Sequence, residues 1–371
     1  MTHATAFATL FEPARLGALT LPNRLVMAPL TRNRAAADGT PEPIMATYYA
    51  QRASAGLIIA EATTPNAVGQ TYPDIPAIYT VQHVTGWRHV TEAVRAAGGG
   101  PMFLQLQHGG RVGHPDTSGL PSIAPSAIAL PETVHTPTGP QPAVVPREMT
   151  PDDVHSTAAD FANAARNAVD AGFAGVEVHA ANGHLLHQFL AENTNRRTDA
   201  YGGGVARRIR FALEVVQSVA EAIGPERVGL RISPGSTVNG IDEGDTASIY
   251  PMLVGALAEI GPAYLHIVLA DPEQPLFHEL REIWPGTLIA NPVLGRRGGR
   301  LPADGGRRAA ERLLAEGAEL ISLGRPFIAN PDLVERLRIG APLNPLRDKG
   351  QMHTGGADGY TDYPTLDEIV G

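Results

Sequence analysis

Short apolar, β-rich runs recur along this chain at residues 24–28, 57–61, 102–106, 175–179, 228–232, 264–268, 287–290 and 320–323. Between several of them, at 84–97, 151–171, 207–223, 249–260 and 307–316, apolar residues return at helical spacing. Strands that alternate with helices predict a parallel sheet, because parallel strands need crossover connections. Eight such runs predict an α/β fold closed into a (β/α)8 TIM barrel, with residues 1–371 as one domain. The competing doubly wound sheet would carry Gly-x-Gly-x-x-Gly after its first strand if it bound a dinucleotide, and that spacing is absent. Residues 107–150 follow the third run, are rich in proline and lack helical periodicity. A loop of that length is usually functional or disordered, and here it reads as a lid over the C-terminal face of the barrel.

Alternation within the fourth run sets Glu177 and His179 on one face and Val176 and Val178 on the other. Polar groups therefore point into the barrel and converge at the strand's C-terminal end, where barrel active sites lie. The next residues, Ala180-Ala181-Asn182-Gly183-His184, add two more polar side chains. Other strand ends bring Thr31, Glu61, Gln105, Arg231, Asn291 and the pair Gly324-Arg325. Early His-x-His and successive carboxylates are both missing, so no metal site is expected, although a chance site from His179, His184 and His187 stays open. An amide at Gln105, a hydroxyl at Thr31, a permanent cation at Arg231 and an arginine-backed phosphate position at Gly324-Arg325 suit a planar anionic cofactor such as FMN. Arg231 could also serve as an ion-pair partner for Glu177.

Composition narrows the chemistry further. A net charge of −9 argues against a nucleic-acid surface. The absence of cysteine removes disulfides, thiolate metal sites and thiol catalysis. Lys349 is the only lysine, which excludes a Walker P-loop and makes Schiff-base chemistry improbable. Residues 1–10 lack a basic start and apolar run, and no segment reaches membrane-spanning length, so a cytoplasmic protein with no membrane partner is expected. Whether it is a monomer or a homo-oligomer stays open.

Several segments in order, Ala28-Pro29-Leu30-Thr31-Arg32, Glu61-Ala62-Thr63, Leu104-Gln105-Leu106, the His-x-x-Asn-Gly stretch, residues 195–203, 228–234, 324–336 and 359–364, resemble the Old Yellow Enzyme family of flavin ene-reductases. The resemblance implies a non-covalent FMN held by Ala28, Pro29, Leu30, Thr31, Ala62, Gln105, His179, Arg231, Asn291, Gly324 and Arg325. It places Thr31 near the ring's C4 carbonyl and Arg231 near N1 and O2. NAD(P)H is the implied transient reductant, and activated C=C bonds of enones, maleimides or nitroalkenes are the implied small-molecule substrates. His179 and Asn182 would donate to the substrate oxygen, with His184 and Thr31 completing the catalytic set and Tyr72, Gln107 and His353 lining the pocket. Residues 195–203 are expected to order the following loop and helix rather than touch substrate.

This chain departs from the family at His184 and His353, where tyrosines are usual, and at Gln107, where tryptophan is frequent. Residues 290–295 replace the glycine-rich phosphate turn, Pro292 lacks an N–H to donate, and residues 296–308 read as an insertion. Nitrate-ester or nitro-compound reduction on the same flavin, and a catalytically weak flavin-binding sensor, remain alternatives.

Overall fold

The computed structural model describes residues 9–295, 301–347, 349–353 and 356–370. The apolar runs form a closed barrel of parallel strands: β1 (Leu25–Met27), β2 (Leu57–Thr63), β3 (Met102–Leu106), β4 (Gly175–Ala180), β5 (Val228–Ile232), β6 (Tyr264–Ala270), β7 (Thr287–Pro292) and β8 (Leu320–Leu323), which returns to β1. Outside them lie α1 (Pro43–Ala50), α2 (Val81–Ala96), α3 (Pro151–Asp170), α4 (Arg210–Ile223), α5 (Thr246–Ile260), α6 (Pro275–Ile283), α7 (Arg307–Ala315) and α8 (Leu333–Ile339). No helix among the described residues is long and apolar enough to cross a membrane.

Strand alternation sorts the core into two parts. Outward residues such as Val176, Val178, Leu230 and Leu104 pack under the helices. α3 meets them with a stripe of Val154, Phe161, Ala165 and Ala168, spaced to stay on one face. Its start is fixed by a capping box between Thr150 and Asp153, with Pro151 in the first turn. Inward residues Val26, Leu57, Ile59, Phe103, Tyr264, Ile289 and Leu320 fill the lower barrel. The hairpin Ala14–Leu16 with Leu19–Leu21 closes that end through Ala14, Leu16 and Leu21. Above this apolar floor comes a buried polar layer of Gln105, Glu177, Arg231, His266 and Ser322.

Residues 107–150 contain a single turn at Gly110–Val112, a short helix at Pro115–Ser118 and an antiparallel hairpin of Thr133–Thr136 with Gly139–Pro142. The Arg111 guanidinium donates to the carbonyls of Asn239 and Gly240 at 3.0 and 2.9 Å, which ties this excursion to the loop after β5. Arg197 holds its far side by donating to the Pro125 and Met149 carbonyls. Of the expected insertion at 296–308, residues 296–300 lie outside the described residues; the remainder turns at Asp304, whose carboxylate caps Gly306 and Arg308 before α7 continues.

Two glycines make room for the aromatic floor. A Cβ on Gly229 would lie 2.1 Å from the Tyr264 ring, and one on Gly175 would lie 2.5 Å from Phe103. Those rings sit 5.5 Å apart inside the barrel, so neither can retreat. Gly229→Ala is expected to destabilise the fold by about 1–3 kcal/mol, the usual range for overpacking. Thermal melting followed by circular dichroism checks this, and Gly229→Ala combined with Tyr264→Leu should melt higher than the two separate losses predict. An unchanged midpoint in Gly229→Ala would refute it.

Candidate active site

β4 ends at Ala180, and the chain then turns through Asn182 and Gly183 at φ of 55° and 75°. The turn is held on several sides. Asn182 N–H donates to Ser233 Oγ at 2.8 Å, and the Asn239 amide donates to the Asn182 carbonyl at 2.8 Å. Gly183 N–H donates to His187 Nδ1 at 3.1 Å, while the other ring nitrogen of His187 lies 2.7 Å from Glu243. Because Nδ1 accepts, Nε2 carries the hydrogen that Glu243 receives. His187 is thereby committed to positioning the loop and does not join His179 and His184, so the chance metal site from these three is not formed. The backbone of Asn182, not its carboxamide, makes the anchoring contacts.

His179 and His184 face each other with ring centroids 5.0 Å apart. Burial, then the positive surroundings of His184 and Arg231, holds the His179 imidazole well below its ordinary pKa, so the ring is neutral. His184 Nδ1 lies 3.3 Å from the Ala181 carbonyl, which can only accept, so Nδ1 donates there. Tyr72 meets His184 edge-on at 6.3 Å, and Gln107 donates to Thr71 Oγ1 at 3.0 Å, which brings the expected pocket residues Tyr72 and Gln107 to the same side. His353, exposed at the end of the short helix Lys349–His353, reaches the Thr31 backbone from the other side.

Below the mouth, strand register decides the pairing. His179 stands opposite Arg231, and Glu177 opposite Gly229. The alternative of a Glu177–Arg231 ion pair is not the direct contact: the Glu177 carboxylate contacts His266 Nδ1 at 2.7 Å and accepts from Gln105 Nε2 at 2.8 Å, and Arg231 acts on it through its charge alone. Burial pushes the Glu177 carboxyl upward, but His266, Arg231 and the Gln105 hydrogen bond outweigh it and keep the group ionised. Arg231 is 6% exposed, and its Nε is buried with no hydrogen-bond partner. A buried guanidinium with an unused N–H fits a ligand that offers acceptors and gains negative charge, as a flavin ring does.

The mouth between β8, β1 and β2 is equally ordered. Ala28 N–H donates to the Leu323 carbonyl at 3.0 Å, and a Cβ on Gly324 would meet Leu30 at 3.3 Å. Pro29 and Ala62 are buried, and Thr31 is half-buried. A bulge between Ala60 and Thr63 interrupts the inward alternation of β2. Glu61 consequently turns away from the barrel interior, accepting from Arg32 N–H at 3.0 Å and Tyr49 Oη at 3.2 Å. Its neighbours Arg32 and Arg34 donate to the carbonyls of Met352, Gly356, Asp358 and Gly359, which fastens the C-terminal segment across the loop after β1. At β7, the Asn291 amide donates to the Ser322 carbonyl at 2.8 Å, so one of its hydrogens serves the barrel rather than a phosphate. The Arg325 guanidinium lies across the same end, 3.2 Å from the Leu294 carbonyl. In residues 195–203 the Asn195 amide donates to the Phe189 and Tyr201 carbonyls, and Tyr201 Oη donates to Glu214 of the following helix α4 at 2.9 Å.

Residues 9–344 match the NADH:flavin oxidoreductase / NADH oxidase family. The chain is 39% identical over 369 residues to a probable flavin mononucleotide-dependent alkene reductase of Leishmania infantum, covering 96% of this chain and 97% of that protein. Among solved structures, the old yellow enzyme homologue from Zymomonas mobilis is similar at TM-score 0.90 and 39% identity, with 97% of this chain and 100% of that one covered. Morphinone reductase in complex with tetrahydroNAD is similar at TM-score 0.90 and 42% identity, with coverages of 98% and 99%.

Glu61 gives the site a pH signature. Burial raises its carboxyl from 4.5 to about 7 despite the hydrogen bonds it accepts from Arg32 and Tyr49. An acid with a higher pKa folded than unfolded binds more protons in the native state, so the stability it contributes is full at low pH and is lost as pH rises from about 4.5 to 7. The change amounts to about 3 kcal/mol. Unfolding free energies of wild type and Glu61→Gln should therefore diverge in the variant's favour between those limits. A difference that does not vary with pH would mean an ordinary carboxyl.

Proposed function

This chain belongs to the NADH:flavin oxidoreductase / NADH oxidase family, and on that premise we propose that it is an FMN-dependent ene-reductase acting on enones, maleimides and nitroalkenes with NAD(P)H as reductant. The observation behind this reading is the pairing of β4 with β5, which sets a neutral histidine donor, His179, opposite a buried arginine with an uncommitted Nε. FMN, when bound, would supply hydride chemistry, carrying reducing equivalents from NAD(P)H to the β-carbon of the alkene. Ala28, Pro29, Leu30, Thr31, Ala62, Gln105 and Arg231 would hold the ring, and Gly324 and Arg325, with Asn291, would hold the phosphate. Arg231 would supply a fixed positive charge that favours a ring gaining negative charge.

His179 and Asn182 donate hydrogen bonds to the substrate's carbonyl or nitro oxygen. Their bonds strengthen as enolate charge grows on that oxygen, which lowers the barrier to attack at the β-carbon. His184 gives the α-carbon its proton. Since its Nδ1 donates to Ala181, the neutral ring has no hydrogen on Nε2, and proton delivery needs the imidazolium. Tyr72, Gln107 and His353 line the pocket, and residues 107–150 act as a lid that excludes water, a role supported by the Arg111 bonds to the loop after β5.

Two kinetic outcomes are expected. His179→Ala should slow reoxidation of the reduced protein by 2-cyclohexenone about 10²–10³-fold, as loss of an oxyanion donor does, with a smaller effect on reduction by NADPH. Unchanged reoxidation in both His179→Ala and Asn182→Ala would overturn the reading. For His184, stopped-flow reoxidation from pH 5.5 to 9 should show a rate that falls as the imidazolium is lost. His184→Phe should flatten that profile and cost about 10²–10⁴-fold at its acid end. A flat wild-type profile with a near-normal rate in His184→Phe would assign the proton to solvent.

A further inference from the structure

Beneath the ligand-facing residues Gln105 and His179 runs a polar chain whose lower members, Glu177, His266 and Ser322, the proposed reaction leaves unused. Glu177 is fully buried. Its Oε1 accepts from Gln105 Nε2 at 2.8 Å, and its Oε2 lies 2.7 Å from His266 Nδ1. His266 Nε2 in turn lies 2.7 Å from Ser322 Oγ. On the upper side, Gln105 Nε2 lies 3.5 Å from His179 Nδ1. Four strands, β3, β4, β6 and β8, thus contribute to one chain of contacts that ends at the histidine.

A carboxylate has no hydrogen to give, so each of its neighbours must donate. That fixes the Gln105 amide: its NH2 faces Glu177, and its carbonyl points the other way. The second hydrogen of the same NH2 is then the group nearest His179 Nδ1, which meets it with a lone pair. A neutral imidazole with Nδ1 as acceptor carries its hydrogen on Nε2. His266 follows the same logic, donating through Nδ1 to Glu177 and accepting the Ser322 hydroxyl at Nε2.

We infer that Glu177 is a positioning residue which, by orienting the Gln105 amide, holds His179 in the tautomer whose Nε2–H is available to the substrate oxygen. The inference rests on the reading of His179 as that donor. Alternation alone could have placed an apolar residue at 177, and a buried carboxylate is costly unless it is paired and hydrogen-bonded. A neutral amide there would not do the same work. Glutamine at 177 can present either its oxygen or its NH2 to Gln105, so the Gln105 amide can turn over. Its carbonyl then faces His179 Nδ1, draws the ring hydrogen to that nitrogen and leaves a lone pair on Nε2, which repels a carbonyl oxygen.

The test uses the full chain loaded with FMN and labelled with 15N-histidine. Imidazole 15N shifts report the tautomer directly, and the His179 signals are those missing from His179→Ala. Wild type should show His179 as Nε2–H alone. Glu177→Gln should show a mixture with Nδ1–H and slow reoxidation by 2-cyclohexenone about 10- to 100-fold, with bound FMN retained. If Glu177→Gln does not fold, Gln105→Leu, which removes the NH2 that keeps Nδ1 an acceptor, should likewise admit the Nδ1–H form, and because Gln105 also holds the flavin ring this variant is compared with wild type with both free of FMN. A wild-type His179 protonated on Nδ1, or a pure Nε2–H ring in either folded variant, overturns the inference whatever the turnover. A tautomer that shifts while His179→Ala reoxidises normally would instead sink the assignment of His179 as donor.

Discussion

A carboxylate with no exposed surface, inside a barrel that has no open edge, dictates what surrounds it. Glu177 must be met by donors, and the barrel meets it with His266 and Gln105, while the positive charge of Arg231 stands one register step away. Apolar packing below and ligand chemistry above are separated by this single polar layer. Its members come from strands far apart in sequence, so the layer exists only once the barrel has closed. The apolar floor has the complementary task of filling volume, and glycine at 175 and 229 is what lets Phe103 and Tyr264 do so.

The barrel itself was legible in the sequence because each strand is a short apolar run and most are followed by a periodic helix. Every predicted run became a barrel strand, with ends displaced by a residue or two where β1 shortens and β2, β4, β6 and β7 lengthen. Of the helices α1 to α8, the sequence pattern missed α1, α6 and α8. α1 is apolar almost all round, and α6 and α8, at 9 and 7 residues, are too short for a repeat of the helical period to establish itself. The hairpin inside 107–150 was hidden by prolines that mask strand alternation.

For the candidate site, what could be read was local. His179 and Asn182 stood out because polar residues followed a strand end. What could not be read was long-range. Glu177 and His266 are 89 residues apart, and His187 and Glu243 are 56 apart, distances over which periodicity says nothing. The position of Glu61 was unreadable for another reason: a one-residue irregularity in β2 reverses the face that alternation assigns to it. Whether Glu177 pairs with Arg231 was likewise open, since neighbouring strands can be adjacent without placing two given residues opposite each other, and the register sets Glu177 opposite Gly229.

The arginines beside β1 carry a consequence for how the protein is made. Arg32 and Arg34 find their acceptors at Met352, Gly356, Asp358 and Gly359, roughly three hundred residues later in the chain. Until those carbonyls leave the ribosome, two cations next to Thr31 have water in place of their final partners, and the loop they belong to has no reason to settle. The first barrel strand to be synthesised therefore contributes to the mouth of the barrel among the last, and a ribosome stalled before residue 352 would hold a chain with most of its strands and an unfinished site.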